Sequence, residues 1–160
     1  MTKKGFTLIE ILVVVTIMGT MIGLSLAGWN SYRNGQTAEA VTSELASNIR
    51  LIRSKAINGE KPSNPNCQFL ENYQIDVGAD CALTVDASCK DGSGANQVIS
   101  DVFAFEVADY VVSCDTLTTG FQSLSGSRLG VSSSITVTYH GVEKYITISE
   151  LGNINTTSSL

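Results

Sequence analysis

The sequence predicts an α+β protein in which one long N-terminal helix packs on an antiparallel β-sheet head. Three observations predict this class. Residues 6–27 form a predominantly apolar run, and residues 41–56 carry apolar side chains at helical spacing. From residue 62 onward, short runs rich in β-branched and aromatic residues alternate with Gly, Ser, Asn and Asp, which is typical of strands and turns.

The apolar run at residues 6–27 is predicted to be a membrane anchor. As an α-helix it extends about 33 Å, which matches a hydrocarbon core of about 30 Å. Lys3 and Lys4 precede the run and place the N-terminus in the cytoplasm. The head is then expected on the periplasmic or extracellular side of the cytoplasmic membrane, with Trp29 near the outer interface.

Glu10 is the only charged residue between Lys4 and Arg33. A charge in a spanning segment costs about 2.5–3.5 kcal/mol on insertion scales, so such a residue usually serves a partner. Gly19, Gly23 and Gly28 also interrupt the anchor. In lipid, glycines often mark close helix packing, and a segment that melts during assembly is the second interpretation.

The helix is expected to continue through the head boundary, because residues 30–58 contain no proline. An apolar stripe at spacings of four, four, three and four residues indicates one buried face: Val41, Leu45, Ile49, Ile52 and Ala56. Asn58-Gly59, followed by Pro62 and Pro65, predicts the end of the helix. The chain thus divides into a helix at 6–58, with the anchor at 6–27, and a head at 59–160.

The head is predicted to contain short strands. Their expected ranges are 73–77, 83–86, 98–107, 110–114, 134–139 and 142–149. His140-Gly141 separates the last two and is predicted to form a two-residue turn, so His140 is interpreted as a turn residue and not a catalyst. The polar tail after Gly152 is expected to be loose at its end.

Four cysteines fall in the head: Cys67, Cys81, Cys89 and Cys114. An even number on the exported side predicts two disulfides in an oxidising compartment. Three pairings are open. A bond between Cys81 and Cys89 would close a short loop, which weakly favours that bond and leaves Cys67 to pair with Cys114. One disulfide with two free thiols and a zinc site are the alternatives.

Charge and composition limit other functions. The formal net charge is −5, which argues against generic nucleic-acid binding. Asp86, Asp91 and Asp101 could supply calcium ligands, but aspartates in solvated turns are the default, so no metal or other cofactor is expected. No arrangement of catalytic residues is recognised, and the chain is predicted not to be an enzyme.

The residues Lys4-Gly5-Phe6-Thr7-Leu8-Ile9-Glu10 closely resemble the processing site of type IV pilins and type II secretion pseudopilins. The resemblance implies the type IV pilin-like fold and a leader at residues 1–5. It implies that prepilin peptidase cuts after Gly5, that Phe6 is then N-methylated, and that Glu10 is the membrane glutamate used in assembly. The implied partners are other pilin or pseudopilin subunits, an inner-membrane assembly platform, and lipid before assembly.

The spacing supports this role for Glu10. It lies four residues after Phe6, about one helical turn. In a bundle of parallel helices, Glu10 of one subunit can pair with the new amine of Phe6 on the next, and two paired charges cost less in lipid than two isolated ones. This pairing would favour docking at one axial offset.

A second resemblance concerns residues 45–57, with Arg53, Ser54 and Ala56, and the closing runs at 134–137 and 146–154. These are similar to the GspH/FimT-type minor pseudopilins and imply a minor subunit of a type II secretion pseudopilus. Some FimT-type proteins bind DNA through a Gly-Arg-x-Arg tail. Here the aligned residues are Gly152, Asn153, Ile154 and Asn155, so direct DNA binding is not expected.

Other functions remain open from the sequence. One is a major or minor pilin of a surface fibre for adhesion, motility or DNA uptake. Another is a signal-anchored β domain that never polymerises. A secretory signal peptide cut after Ser25-Leu26-Ala27 is a further alternative, although the apolar run is longer than the usual 7–15 residues.

Overall fold

The computed structural model describes residues 7–105, 112–130 and 134–158, with the backbone alone at 24–27 and 101. It contains one 50-residue helix, α1 (Leu8–Ile57), and then a β-rich head. The described strands are β1 (Phe69–Val77), β2 (Leu83–Lys90), β3 (Asn96–Phe105), β4 (Ser113–Cys114), β5 (Leu117–Gln122), β6 (Arg128–Leu129), β7 (Ser134–Tyr139), β8 (Val142–Ile148) and β9 (Ile154–Thr157).

The helix α1 ends where the sequence predicts. Asn58 is the C-cap, and Gly59 adopts a left-handed conformation with φ +60°. The Glu60 N–H donates to the Lys55 carbonyl oxygen at 3.0 Å, which satisfies one of the carbonyls left open at the helix end. Glycine adopts this conformation without the strain that a Cβ would cause.

The strands form two antiparallel sheets, a division that the sequence does not reveal. The five-stranded sheet has the order β3-β2-β1-β5-β6, and the four-stranded sheet has the order β4-β7-β8-β9. The C-terminal half of α1 contacts β7, β8 and β9, and also β1 and β5. The predicted class is confirmed: a long N-terminal helix packs on antiparallel β structure in a type IV pilin-like α+β fold.

The core lies between the helix and the inner faces of both sheets. All five residues of the predicted helical stripe are at most 2% exposed: Val41, Leu45, Ile49, Ile52 and Ala56. They meet alternate residues of the strands, including Tyr73 and Ile75 of β1, Phe121 of β5 and Ile146 of β8, each at most 1% exposed. Side chains of a strand point to opposite faces in turn, and β2 shows this alternation by burying Leu83, Val85, Ala87 and Cys89.

Several strand predictions need correction. The strands β1 and β2 are longer than predicted, and β3 begins at Asn96, two residues before the expected start. Residues 106–107 and 110–111 of the predicted strands lie outside the described residues. The sequence analysis missed β5, β6 and β9. The tail after Gly152 begins with an ordered segment, because Ile154 is 8% exposed and begins β9, which pairs with β8. The end of the tail, at residues 159–160, lies outside the described residues.

The turn between β7 and β8 is confirmed. Tyr139 pairs with Val142, which leaves His140 and Gly141 as the two turn residues. Both have positive φ, +47° at His140 and +79° at Gly141. Positive φ at both central positions is the geometry that matches the twist of a tight hairpin.

The preferred disulfide pairing is wrong. The structure joins Cys67 to Cys89 and Cys81 to Cys114, so all four cysteines are paired. Cys81 lies just before β2, and Cys89 lies near its far end. At about 3.3 Å per residue, the extended strand holds these two residues roughly 25 Å apart, too far for a bond. Sequence separation misleads here because the short segment between the two cysteines is straight.

Candidate functional site

The start of α1 is built around Thr7 and Glu10. Thr7 is the N-cap residue, with an extended backbone, and Glu10 lies in the first turn. The Glu10 Oε2 accepts hydrogen bonds from the Thr7 backbone N–H at 3.4 Å and from the Thr7 hydroxyl at 3.3 Å. This is the arrangement of a capping box, in which the carboxylate also faces the positive end of the helix dipole.

Glu10 lies on an exposed apolar surface. A shallow groove beside it is lined by Ile11, Val14 and Val15. The large apolar side chains from Leu8 to Ile22 are between 47% and 82% exposed, so the anchor packs against no other part of the described chain. By length and composition α1 could cross a membrane, and none of its most apolar window is buried. This surface therefore needs lipid or other helices to cover it.

Two threonines within the anchor satisfy their own hydroxyl groups. The Thr16 hydroxyl donates to the Val13 carbonyl oxygen at 2.8 Å, and the Thr20 hydroxyl donates to that of Ile17 at 2.8 Å. An unbonded hydroxyl would be costly in lipid, so these bonds suit a spanning helix.

The glycines of the anchor have no packing role within the described chain. A Cβ atom at Gly19, Gly23 or Gly28 would meet no atom within 4 Å. Glycine lowers helix stability by up to about 1 kcal/mol in water, and nothing within the single chain offsets that cost. Small residues on an exposed anchor surface allow another helix to approach closely.

The predicted processing site, Gly5 and Phe6, lies outside the described residues. Cleavage after Gly5 and methylation of Phe6 therefore stay predictions. Of the predicted assembly residues, the structure places Glu10, which lies in the first turn of the helix on its exposed surface.

Two of the three candidate calcium ligands lie among the described side chains. Asp86 lies within β2, whereas Asp91 lies in the loop before β3, and the side chain of Asp101 is not described. Hydrogen bonds from the Ser93 hydroxyl and from the N–H groups of Ala95 and Ser93 lower the pKa of Asp91. Within the described ranges, no group of three or more His, Cys, Asp and Glu side chains could hold a metal.

Two arginines of α1 contact the closing loops of the head. The Arg53 guanidinium donates to the carbonyl oxygens of Gly126 at 3.3 Å and Leu151 at 3.0 Å. The Arg50 guanidinium donates to the Ile154 carbonyl oxygen at 3.0 Å, at the edge strand β9. The sequence analysis used Arg53 only as part of a family resemblance and gave Arg50 no role. Their spacing of three residues, on one flank of a helix, is the pattern that could have indicated a shared site.

Comparisons with known proteins support the interpretation of the N-terminal segment. Residues 1–26 match the family model described as the prokaryotic N-terminal methylation motif. The chain is 30% identical over 60 residues to the type IV major alpha-pilin of Moraxella bovis. It is equally similar to fimbrial protein Q of the same organism. The aligned region spans 38% of this chain and 38% of each relative.

No solved structure matches the chain significantly. The comparisons thus show the methylation motif and a similarity to type IV pilins that covers less than half of the chain. The narrower GspH/FimT-type assignment stays a prediction.

Proposed function

We propose that this chain is a membrane-anchored, pilin-like structural subunit that is processed after Gly5 and assembled into a fibre. The observation that carries the proposal is the single carboxylate of Glu10, which lies on an exposed apolar helix and within the methylation motif. A binding or catalytic domain would not need a charge at this position, whereas a subunit that docks through its anchor does.

Processing is the first step. Prepilin peptidase cleaves between Gly5 and Phe6, and the new N-terminus of Phe6 is methylated. The motif match over residues 1–26 supports both events. Cleavage removes Lys3 and Lys4 and creates an amine at Phe6, four residues before Glu10 in the sequence.

Assembly is the second step. Within the described chain, Glu10 accepts hydrogen bonds only from Thr7, at 3.3 and 3.4 Å, which is long for bonds to a carboxylate. Neutral donors do not compensate its charge in lipid, whereas the Phe6 amine of a neighbouring subunit would. An inner-membrane assembly platform extracts the anchor from lipid, and the exposed side chains of α1 become the core of the fibre.

The subunit resides in the cytoplasmic membrane before assembly, with its N-terminus cytoplasmic and its head periplasmic or extracellular. The two disulfides of the head support an oxidising compartment. In this role the chain is not an enzyme and needs no cofactor, and its partners are other pilin or pseudopilin subunits.

Two kinds of fibre fit the proposal. The similarity of residues 45–57 to minor pseudopilins favours a type II secretion pseudopilus. The similarity to a major pilin and to a fimbrial protein favours a surface pilus. Abundance separates a major from a minor role, because a major subunit dominates the protein in sheared fibres.

The test is the intact mass and N-terminal sequence of the protein from its native membrane. A chain that starts at N-methylated Phe6 is expected, and replacement of Gly5 by leucine should leave the leader attached. A chain that starts at Gly28 would instead indicate a secreted domain. An intact N-terminus in the wild type would indicate an uncut signal anchor, and either result would refute the proposal.

A further inference from the structure

The basic residues of the head are concentrated at one end. Seven lysines and arginines follow Arg33 in the sequence. The seventh of them, Lys144, pairs with Glu39 at 3.4 Å, where α1 enters the head. The other six lie around the last turns of α1, on a surface that we call the basic end: Arg50, Arg53, Lys55, Lys61, Lys90 and Arg128.

Hydrogen bonds bring distant parts of the chain to the basic end. The Lys61 amine, four residues after α1, donates to the Gln68 carbonyl oxygen, and the Gln68 N–H donates to that of Lys90, each at 3.0 Å. The Arg128 N–H donates to the Glu150 carbonyl oxygen at 3.1 Å, next to the loop that Arg53 contacts. The concentration of basic residues is therefore a property of the fold and not of one segment.

Positive charge remains at the basic end after its ion pairs are counted. Lys55 pairs with Glu60, and Lys90 pairs with Glu71. Three cations there pair with no carboxylate of the described chain: Arg50, Arg53 and Lys61. With Arg128 they make four positive charges against two further carboxylates, which belong to Asp91 and Glu150.

The opposite end of the head carries carboxylates. Tyr145 follows Lys144, which lies level with Glu39, and the Tyr145 hydroxyl donates to Glu143 at 2.7 Å. The Asp115 N–H donates to the carbonyl oxygen of Thr136, which lies opposite Tyr145 on the neighbouring strand. The hydrogen bond from Glu143, and then burial and the charges of Glu143 and Asp115, raise the pKa of Tyr145. Both carboxylates therefore lie close to the same ring.

A further aspartate joins this group. The Cys114 N–H donates to the Ala79 carbonyl oxygen at 2.9 Å, which places Asp80 beside Asp115. We call this surface the acidic end, and none of its three carboxylates forms an ion pair within the described residues: Asp80, Asp115 and Glu143. All three side chains belong to exposed residues.

The basic end also presents two exposed leucines. Leu124 is 78% exposed and Leu151 is 73% exposed. Leu124 has a positive φ of +66°, a conformation that is unfavourable for a residue with a Cβ, and no burial within the described chain offsets it. Arg53 donates to the carbonyl oxygens of Gly126 and Leu151, so both loops are held in place. A rigid apolar surface of this kind is typical of a protein contact.

A fibre joins one surface of a subunit to a different surface of the next subunit, because a contact between two identical surfaces closes a dimer. Copies anchored in one membrane are parallel, so the basic end of one copy faces the acidic end of a copy that is displaced along the fibre. Opposite charges on these surfaces attract, and parallel copies without this displacement bring like charges level. This step rests on the proposed function, which supplies the parallel arrangement.

The length of α1 permits this displacement. Glu39 marks the level of the acidic end, and Arg53 lies 14 residues later, about 21 Å along the helix. Before Ala38, the first described residue of the core, α1 extends for 30 residues, about 45 Å. Two copies displaced by about 21 Å therefore still overlap along about 24 Å of this uncovered segment.

We propose that the basic end of one subunit binds the acidic end of a second copy of this chain, displaced by about 20 Å toward the end of α1. Arg50 and Arg53 of the first subunit bind the carboxylates of Asp115 and Glu143 of the second, and the exposed leucines are covered by the same contact. A guanidinium has five donors, so each arginine keeps its bonds to the closing loops while it binds a carboxylate.

The test reverses the same charge at each end. Glu143→Lys and Glu150→Lys are the same substitution at exposed positions, the first at the acidic end and the second at the basic end. Each is expressed as the sole copy, and the protein in sheared fibres is measured relative to the membrane pool. Glu143→Lys should lower incorporation several-fold, whereas Glu150→Lys should leave it unchanged or raise it.

Asp115→Lys is the second variant at the acidic end, because its side chain makes no hydrogen bond or ion pair in the described chain. It should also lower incorporation several-fold, while the membrane pool keeps the protease resistance of the wild type. Normal incorporation of both acidic-end variants, or an equal loss in Glu150→Lys, would overturn the contact. Processed wild type in fibres would then still support the proposed function, and its absence from fibres would remove both.

A covalent test identifies the partner. In fibres that carry Arg50→Lys, a carbodiimide should join the introduced amine to the carboxylate of Asp115 or Glu143 and yield a covalent dimer, whose linked peptides mass spectrometry identifies. Adding Asp115→Asn and Glu143→Gln to the same chain should abolish that dimer. A link to a different protein, or no link to either carboxylate, would exclude a second copy as the occupant of the basic end.

Discussion

Glu10 illustrates how a single residue can serve two states of the protein. In the isolated chain its carboxylate caps the helix through Thr7. The two donors of Thr7 are neutral. The carboxylate also lies at the N-terminal end of the helix, where the helix dipole stabilises an exposed negative charge by about 0.3–1 kcal/mol. In lipid the charge of Glu10 is costly, and the neutral donors of Thr7 offset only part of that cost. The proposed ion pair with an amine therefore favours assembly.

Replacing Glu10 with glutamine should separate these states. The amide keeps the size of the side chain and can still accept hydrogen bonds from Thr7, so insertion and processing should be unchanged. Incorporation into fibres should fall about tenfold or more, because the amide cannot neutralise the neighbouring amine. The checks are the intact mass of the membrane pool and the yield in sheared fibres. Normal incorporation would refute the pairing.

Tyr73 has a strongly shifted pKa among the described residues of the head. Its side chain is 1% exposed, and its hydroxyl donates to the Glu60 carbonyl oxygen at 2.7 Å. Burial, and then the nearby charge of Glu60, raise the pKa of Tyr73 to about 12, compared with an ordinary value of 10.0. The folded head thus keeps this proton to a higher pH than the unfolded chain does.

The expected result is a loss of stability in alkali. The contribution of Tyr73 is fully present below pH 10 and is lost as the pH rises toward 12, because the unfolded chain releases the proton first. The loss is at most about 2.7 kcal/mol. Urea unfolding of the full chain in detergent at pH 8 and pH 11 measures it. Tyr73→Phe should be less stable at pH 8 but lose less between the two values; an equal loss would contradict the assignment.

At the scale of elements, the two disulfides connect different parts of the head. Cys67–Cys89 ties the segment before β1 to the end of β2. Cys81–Cys114 ties the start of β2 in the five-stranded sheet to β4 in the four-stranded sheet. The second bond is therefore a covalent link between the two sheets.

Removing either disulfide should destabilise the head by roughly 3–4 kcal/mol, since both close loops of similar length. The paired variants are Cys81→Ser with Cys114→Ser, and Cys67→Ser with Cys89→Ser, so that no free thiol remains to exchange. Chemical denaturation of each double variant under oxidising conditions gives the comparison. Unchanged stability would show that the sheets hold their positions without the bonds.

The elements that the sequence predicts well are those with long periodic patterns. The stripe from Val41 to Ala56 extends over four turns, so the buried face of α1 could be predicted directly. Strand β5 contains two threonines and a glycine, and Gly120 fits because a Cβ there would meet the Tyr73 carbonyl oxygen at 2.5 Å. Such a close approach depends on the neighbouring strand, which no local pattern reveals.

The residues of the candidate site also differ in how well the sequence indicates them. Glu10 could be identified from the sequence because a lone charge in an apolar run is a local anomaly. Arg50 could not, because its significance comes from Ile154, more than a hundred residues away. The disulfide pairing likewise follows from the straightness and order of strands, which are properties of the sheet.

At the scale of the whole molecule, the anchor is a single helix whose apolar side chains are not buried by any other described part of the chain. Its apolar surface and its glycines contact nothing else in the described chain. The head, in contrast, is closed around the C-terminal half of the same helix. One helix thus serves as the interior of the head at one end and as an uncovered surface at the other.

Replacing Gly19 or Gly23 with leucine should leave the isolated subunit intact. A Cβ atom at either position would meet no neighbouring atom within 4 Å, and leucine favours both helix formation and insertion. Close contact between anchors would be blocked, so incorporation into fibres should fall several-fold while membrane levels and processing stay normal. Met18→Leu, at an exposed apolar position, is the matched control. Equal incorporation of all three variants would exclude a close-packing role.

The overlap of the two disulfide loops has a mechanical consequence. When a fibre is pulled and a head unravels, the load-bearing path crosses from Cys67 to Cys89, returns along the chain to Cys81, and crosses to Cys114. With both disulfides intact, tension extends only the roughly eight residues between Cys81 and Cys89, whereas without them it extends the roughly 47 residues from Cys67 to Cys114. At about 3.4 Å per residue, the disulfides therefore shorten the extended chain by roughly 130 Å. Single-molecule stretching with and without reductant should differ by this length for each head. The covalent framework would let the head yield slightly under traction without losing its place in the fibre.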